Sequence, residues 1–256
     1  MDSAKLNEKA WDEEGKRGNY WTQMVAWDDV EKAKRGEKSI WVTPSHDIPL
    51  SWLGESRDKS VLLLASGGGQ QTVLLSAMGF SVTSVDISEH QVEEDRKALE
   101  KYGLKGEVIK RDVCDLSFLP QSSYDIVISP HSLNFIPDLL SFFAEVSRVI
   151  RKDGLFIFGS ANPVLYIFDE KKIGKGKLEF KYTIPYSDEK SLGKKEIKKM
   201  IKRKDTFEYS HTLSDIIGGV LKAGFVIEDF FTDESLSEVV DSFIHDSFLA
   251  IKAKRL

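Results

Sequence analysis

The chain has 256 residues, 41% of them apolar and 30% charged, which suits one large domain or one domain carrying a substantial insertion. A net charge of -5 argues against a surface that binds nucleic acid throughout, and a single cysteine, Cys114, excludes an internal disulfide and a multi-thiolate metal site. No apolar run approaches a membrane span and the opening "MDSAKLNEKAWDEEGKRG" lacks a signal-peptide core, so a cytoplasmic location with no membrane partner and no bound metal is expected.

The N-terminal stretch contains the aromatic segment "GNYWTQMVAW" (18–27). From residue 60 short apolar runs then alternate with helical periodicity. "VLLLAS" (61–66) has the continuous apolar pattern of a buried strand, and "QQTVLLSAMG" reads as a helix ending at Gly79. "SVTSVDIS" (81–88) is β-branched and strand-like. A helix over 88–103 starts at the N-cap Ser88, has Gln91 at the capping-box position, and stops at Gly103. "GEVIKRD" (106–112) and "YDIVISP" (124–130) are the third and fourth strands. "DLLSFFAEVSRVIRKDG" (138–154) is an amphipathic helix with Gly154 past its end, and "LFIFGSA" (155–161) is the fifth strand. The rhythm breaks after Pro163 and resumes at "HTLSDIIGGVLKAGF", a helix ending at Gly224. "VIEDFF" (226–231) and "SFLAIKAKR" (247–255) close the chain. Their connection is short and polar, so the last strand should enter antiparallel, while the alternation before it implies a parallel sheet with helices on both faces.

Two features fall where such a sheet binds ligands, beyond the carboxyl ends of its strands. Gly67, Gly68 and Gly69 follow the first strand and leave the backbone open to a close approach. Asp86 closes the second strand seventeen residues after Gly69, placed to accept hydrogen bonds from the two ribose hydroxyls of an adenosine. Dinucleotide binders share this arrangement, but their G-x-G-x-x-G turn has a third glycine where this chain has Thr72. A nicotinamide-dependent oxidoreductase therefore stays an alternative on these residues alone.

Taken together, "VLLLASGGG", "VDIS", "RDVCDLSFLPQSSYDIVISPHSLNFIPD", "EVSRVIRKDGLFIFGSANP" and "HTLSDIIGGVLKAGFVIEDFF" resemble the motifs of class I S-adenosylmethionine-dependent methyltransferases. The resemblance covers roughly residues 58 to 163 and 208 to 254, and the "GGGQQ" variant suggests a branch of small bacterial or archaeal proteins. It implies a seven-stranded Rossmann-like sheet and S-adenosyl-L-methionine as cofactor. It also implies cofactor contacts at Ala65, Ser66, Gly67, Gly68, Gly69, Gln70, Asp86 and Ile87. Asp112 would accept from the adenine amino group beside Val113 and Cys114, and Ser129, Pro130 and His131 would face the methyl group. The chain departs from the family in having Leu63 where an acidic residue is common and Ala65 where a glycine is common. A non-catalytic protein that retains the cofactor fold is thus a further alternative.

Four parts follow: an N-terminal aromatic lid (1–57), the cofactor-binding core (58–163), a basic insertion (164–210) and the rest of the core (211–256). Methyl transfer from a sulfonium is chiefly a matter of alignment, so the fold does not announce the acceptor. Tyr20 and Trp21 could exclude water as part of the lid, or pack on the sheet. His131 could orient substrate or act in catalysis, or be structural. His211 could point into the cleft, although capping by Ser210 or Thr212 explains its stretch as well. Between Lys171 and Lys204 there are 13 Lys plus Arg against 4 Asp plus Glu. That charge suggests a cap steering an anionic small molecule, with RNA or protein as alternative acceptors, or a merely solvated surface. "KKEIKKMIKRK" (194–204) reads as an exposed basic helix with a stripe of Ile197, Met200 and Ile201.

Overall fold

A continuous apolar run is stable as a strand only if both faces are covered, and Val61 to Leu64 are all fully buried. They form the centre of the sheet in the computed structural model, which describes residues 2–56 and 58–256. Ahead of the sheet lie helices α1 (Ser3–Lys16), α2 (Trp27–Lys34) and α3 (Leu50–Leu53). The core then runs β1 (Ser60–Leu64), α4 (Gln71–Ala77), β2 (Ser81–Asp86), α5 (Glu89–Tyr102), β3 (Glu107–Lys110), β4 (Tyr124–Ser129), α6 (Leu139–Val149) and β5 (Ile150–Ala161). The strand order is β3-β2-β1-β4-β5 and all of these pairings are parallel. The order reverses between β1 and β4, which opens a crevice at their carboxyl ends.

The insertion contains α7 (Glu170–Ile173), β6 (Tyr186–Ser187), α8 (Asp188–Ser191), α9 (Lys194–Arg203) and β7 (Tyr209–Ser210). β6 and β7 pair antiparallel and close it into a loop. The chain ends with α10 (Leu213–Lys222), β8 (Phe225–Asp233), α11 (Glu238–Asp241) and β9 (Phe248–Arg255). β9 lies between β5 and β8 and is antiparallel to both. The four-residue α11 cannot make a crossover, so the chain reverses and β9 enters antiparallel, completing the expected seven-stranded sheet.

Side chains alternate across the central strand. Leu62 and Leu64 join one core layer with Phe142, Phe143, Phe156 and Phe158 under α6 and α10, while Val61 and Leu63 join the other under α2, α4 and α5. Leu63 therefore stands among apolar neighbours. That second layer also holds Ile40, Val42, Ile48, Trp52 and Leu53. Much of the stretch before the sheet is thus core rather than cover, although its first helix, the turn near Trp21 and the Trp41–Val42 segment all reach the crevice.

One boundary and one buried stripe differ from the sequence reading. The helix expected over 138–154 ends at Val149, because Ile150 already pairs with Tyr124 and Arg151 to Gly154 bulge out before Leu155 rejoins the ladder opposite Ile126. Gly154 serves that bulge: a Cβ there would lie 2.9 Å from the carbonyl oxygens of Arg151 and Asp125. In α9 only Met200 of the expected stripe is buried, Ile197 is half-buried and Ile201 is exposed.

Candidate active site

The turn after β1 is built on positive φ. Ala65 has φ 59°, and Gly67, Gly68 and Gly69 have 74°, 75° and 81°. Packing as well as conformation excludes side chains here. A Cβ on Gly67 would sit 2.9 Å from the Trp21 carbonyl, one on Gly68 would collide with the Gln91 side chain, and one on Gly69 would press on Ala98 and Met24. The two glutamines that follow fasten the N-terminal segment over this turn. Gln70 Nε2 donates to the carbonyls of Tyr20 and Gln23 at 3.1 and 2.8 Å, and Gln71 Nε2 donates to that of Trp41 at 3.2 Å.

Two aspartates hold the turn from below. Asp86 Oδ2 accepts from the Gly67 amide at 3.3 Å and Oδ1 from the Ser88 amide at 2.9 Å. Burial pushes its carboxyl up to about 6 against the pull of those amides. Asp95, fully buried on α5, accepts from the Gly69 amide, from Thr72 Oγ1 at 2.9 Å and from Ser84 Oγ at 3.2 Å. Burial raises its carboxyl too, opposed by those donors and by Ser66. The residue that replaces a third glycine, Thr72, is therefore a ligand of this brace. Nothing local to Asp95 signals the role, since it reads as one more charge on an amphipathic helix.

The turn opens into a cleft of about 1000 Å³. Of the expected site residues, Ala65, Ser66, Gly67, Gln70, Asp86, Ile87, Asp112, Val113, Cys114, Pro130 and His131 line it. Four do not. Gly68 and Gly69 lie beneath α5 and the N-terminal segment, as their neighbours show. Ser129 is fully buried and its Oγ is spent on Ser132 Oγ at 2.6 Å. The Tyr20 ring is 59% exposed and points away from the cleft, whereas Trp21, against which it packs edge-on, lines the cleft.

Asp112 accepts from the Cys114 amide at 2.9 Å through Oδ1. Cys114 is exposed, and desolvation of its thiol together with the Asp112 charge pushes that thiol up. His131 has φ 30°, and its backbone N–H donates to the Val42 carbonyl at 3.1 Å. Its ring stands edge-on to Phe248, centroids 4.6 Å apart, and lies 6.0 Å from Trp21. Burial pushes the imidazole down to about 4, so it is neutral at neutral pH. Its Nδ1 is buried with no partner among the described residues. His211 turns away from the cleft, its Nε2 lying 2.8 Å from the Ile136 carbonyl, and Thr212 caps α10 in a capping box with Asp215.

Trp21 and the insertion's Tyr166, Phe168, Tyr182 and Tyr186 stand out in the sequence, whereas Trp11, Asn134, Phe135, Asp188 and Glu208 do not; all of them form the remaining wall. Trp11 and Trp21 come from the N-terminal segment, Tyr166, Phe168, Tyr182, Tyr186, Asp188 and Glu208 from the insertion, and Asn134 and Phe135 from the loop after β4. Among the described residues the wall carries nine carboxyl groups against three cations. Each cation is already paired: Lys171 with Glu196 at 3.0 Å, Lys181 with Asp169 at 3.0 Å and Arg203 with Asp205 at 2.5 Å.

A methyltransferase-domain family model matches residues 62–158. The chain is also 38% identical over 239 residues to the "Uncharacterized methyltransferase YbaJ" of Bacillus subtilis, with 93% of each chain covered. It belongs to the class I S-adenosylmethionine-dependent methyltransferases. Its cofactor is S-adenosylmethionine. Solved structures agree on the fold. A methyltransferase from Mesorhizobium loti superposes with a TM-score of 0.62 at 19% identity, over 80% of this chain and 94% of that one. The 1,6-didemethyltoxoflavin-N1-methyltransferase of Burkholderia thailandensis gives 0.61 at 16% identity, over 98% and 88%. The methyltransferase's turn fits its cofactor: beside the bare glycines both side-chain polar atoms of Gln91 are buried without a partner among the described residues.

Proposed function

We propose that this methyltransferase transfers its methyl group to a small molecule enclosed between the N-terminal segment and the 164–210 insertion. S-adenosylmethionine supplies an electrophilic methyl group on a sulfonium. The chain's own residues hold and align. Ala65, Ser66 and Gly67, with Gln70 and Gln91, surround the methionine portion. Asp86 accepts from the ribose hydroxyls with Ile87 beside it, and Asp112 accepts from the adenine amino group next to the backbone of Val113 and Cys114. Pro130 and His131 face the methyl end, where the neutral imidazole orients the acceptor.

The observation that carries the small-molecule reading is the roof. Trp11 and Trp21 from one segment and Tyr166 and Tyr186 from the other line a single cleft. On this reading residues 2–24 act as the lid and the insertion as the cap. The RNA alternative rests on Lys194, Lys195, Lys198 and Lys202, which are exposed on α9 and do not line the cleft.

Calorimetric titration with S-adenosylmethionine, S-adenosylhomocysteine and NAD comes first, followed by a search for acceptors by S-adenosylhomocysteine release. Micromolar binding of the sulfur nucleosides and turnover of a small acceptor are expected. Turnover confined to RNA or protein would overturn the small-molecule reading.

A further inference from the structure

The acceptor half of the cleft is short of one kind of group. Glu208 Oε2 accepts from Tyr166 OH at 2.6 Å. Asp188 is buried, and its two carboxylate oxygens accept from Tyr186 OH at 2.6 Å and from the Glu208 amide at 2.7 Å. Beside them Asn134 is 5% exposed, and its Oδ1 is buried with no partner among the described residues. Two carboxylates and an orphaned amide oxygen thus share one wall, and the cleft's cations are neutralised by their own partners. An anion entering here would find acceptors facing acceptors. Flat rings complete the wall: Tyr182 and Tyr186 lie 4.9 Å apart, Tyr166 and Tyr186 5.5 Å, and Phe135 meets Trp11 edge-on at 5.2 Å.

We infer that the acceptor is a flat nitrogen compound that offers N–H groups to Asn134 and Glu208, and that Glu208 takes the proton its nitrogen loses on methylation. This inference rests on the small-molecule reading and replaces its expectation of an anionic acceptor. As the nitrogen–carbon bond forms, the carbon–sulfur bond breaks with its electron pair left on sulfur, and the nitrogen's proton passes to the Glu208 carboxylate. Burial, with Asp188 and Glu170 as neighbouring charges, pushes that carboxyl up to about 7, against the hydrogen bond from Tyr166. Near neutral pH it can both hold and release a proton. The signal in the sequence was the charged residue in "FEYSH", three positions before the histidine that draws the eye.

The test uses two probes of one shape and opposite charge, tryptamine and indole-3-propionate. Each is titrated by calorimetry into the full chain, alone and saturated with S-adenosylhomocysteine. Tryptamine should bind at least tenfold more tightly, and Glu208→Gln should erase most of that preference while its circular dichroism and S-adenosylhomocysteine affinity stay unchanged. Equal or tighter binding of indole-3-propionate overturns the inference, as does failure of both probes on protein that binds S-adenosylhomocysteine. Failure to bind S-adenosylhomocysteine itself would instead sink the cofactor assignments.

Discussion

Asn7 and Phe207 exchange two hydrogen bonds across 200 residues of sequence: Asn7 Nδ2 donates to the Phe207 carbonyl at 3.0 Å, and the Phe207 amide donates to Asn7 Oδ1 at 2.7 Å. A side-chain amide here takes the place of a β-partner for the returning strand of the insertion. Around it Lys204 pairs with Glu13 at 2.7 Å and Tyr209 OH donates to Ser3 Oγ at 2.8 Å. The two covers of the cleft are one assembly, so neither opens without disturbing the other. Asn7→Ala would strand a buried amide and a buried carbonyl at Phe207, at a cost of roughly 1–3 kcal/mol. The expected result is a lower melting temperature and faster proteolysis within residues 170–205. Unchanged cleavage would mean the insertion holds itself.

Asp86→Ala is expected to weaken S-adenosylhomocysteine binding by about 10- to 100-fold, the scale of one or two hydrogen bonds to a charged acceptor. Calorimetry on folded protein checks this, and unchanged affinity would remove the ribose role.

Asp95→Ala should behave differently, because Asp95 does not line the cleft. It would strip the Gly69 amide, Thr72 and Ser84 of a shared acceptor in a buried site. A loss of roughly 2–4 kcal/mol in urea unfolding is expected, with weaker cofactor binding as a consequence of the disordered turn. A stable variant with normal affinity would show that the brace is dispensable.

His131 offers a pH test. Its folded value of about 4 lies below the ordinary 6.5, so between those values the unfolded chain binds a proton that the folded chain does not. Stability should therefore be full above about pH 6.5 and fall as the pH drops toward 4, by up to roughly 3 kcal/mol from this group. His131→Ala should remove that share of the slope. The same variant should lower turnover more than cofactor affinity, and equal turnover would leave the ring a packing role against Phe248 and Trp21.

The turn after β1 and the aspartate that ends β2 were legible in the sequence because their determinants are local. Glycines at the end of one apolar run and an aspartate at the end of the next occupy those places in any parallel sheet. The seven strands follow from the same alternation. Boundaries failed where a partner strand outbid local preference, as at Ile150, which Tyr124 draws out of the helix. Tyr20 and Trp21 could not be told apart by type, and only the turn at Asn19, whose side chain caps the Trp21 amide at 3.0 Å, decides which ring faces the cleft.

By itself the sequence determined the sheet, the glycine turn, Asp86 and the basic surface of α9, all of them matters of pattern along the chain. Only the tertiary structure decided that the cleft within a lysine-rich insertion is acidic, that Asp95 braces the turn and that Glu208 lines the cleft. The reason is physical. Net charge sums over a segment regardless of direction, whereas the field in a cleft depends on which side chains turn inward and which are neutralised by partners far along the chain.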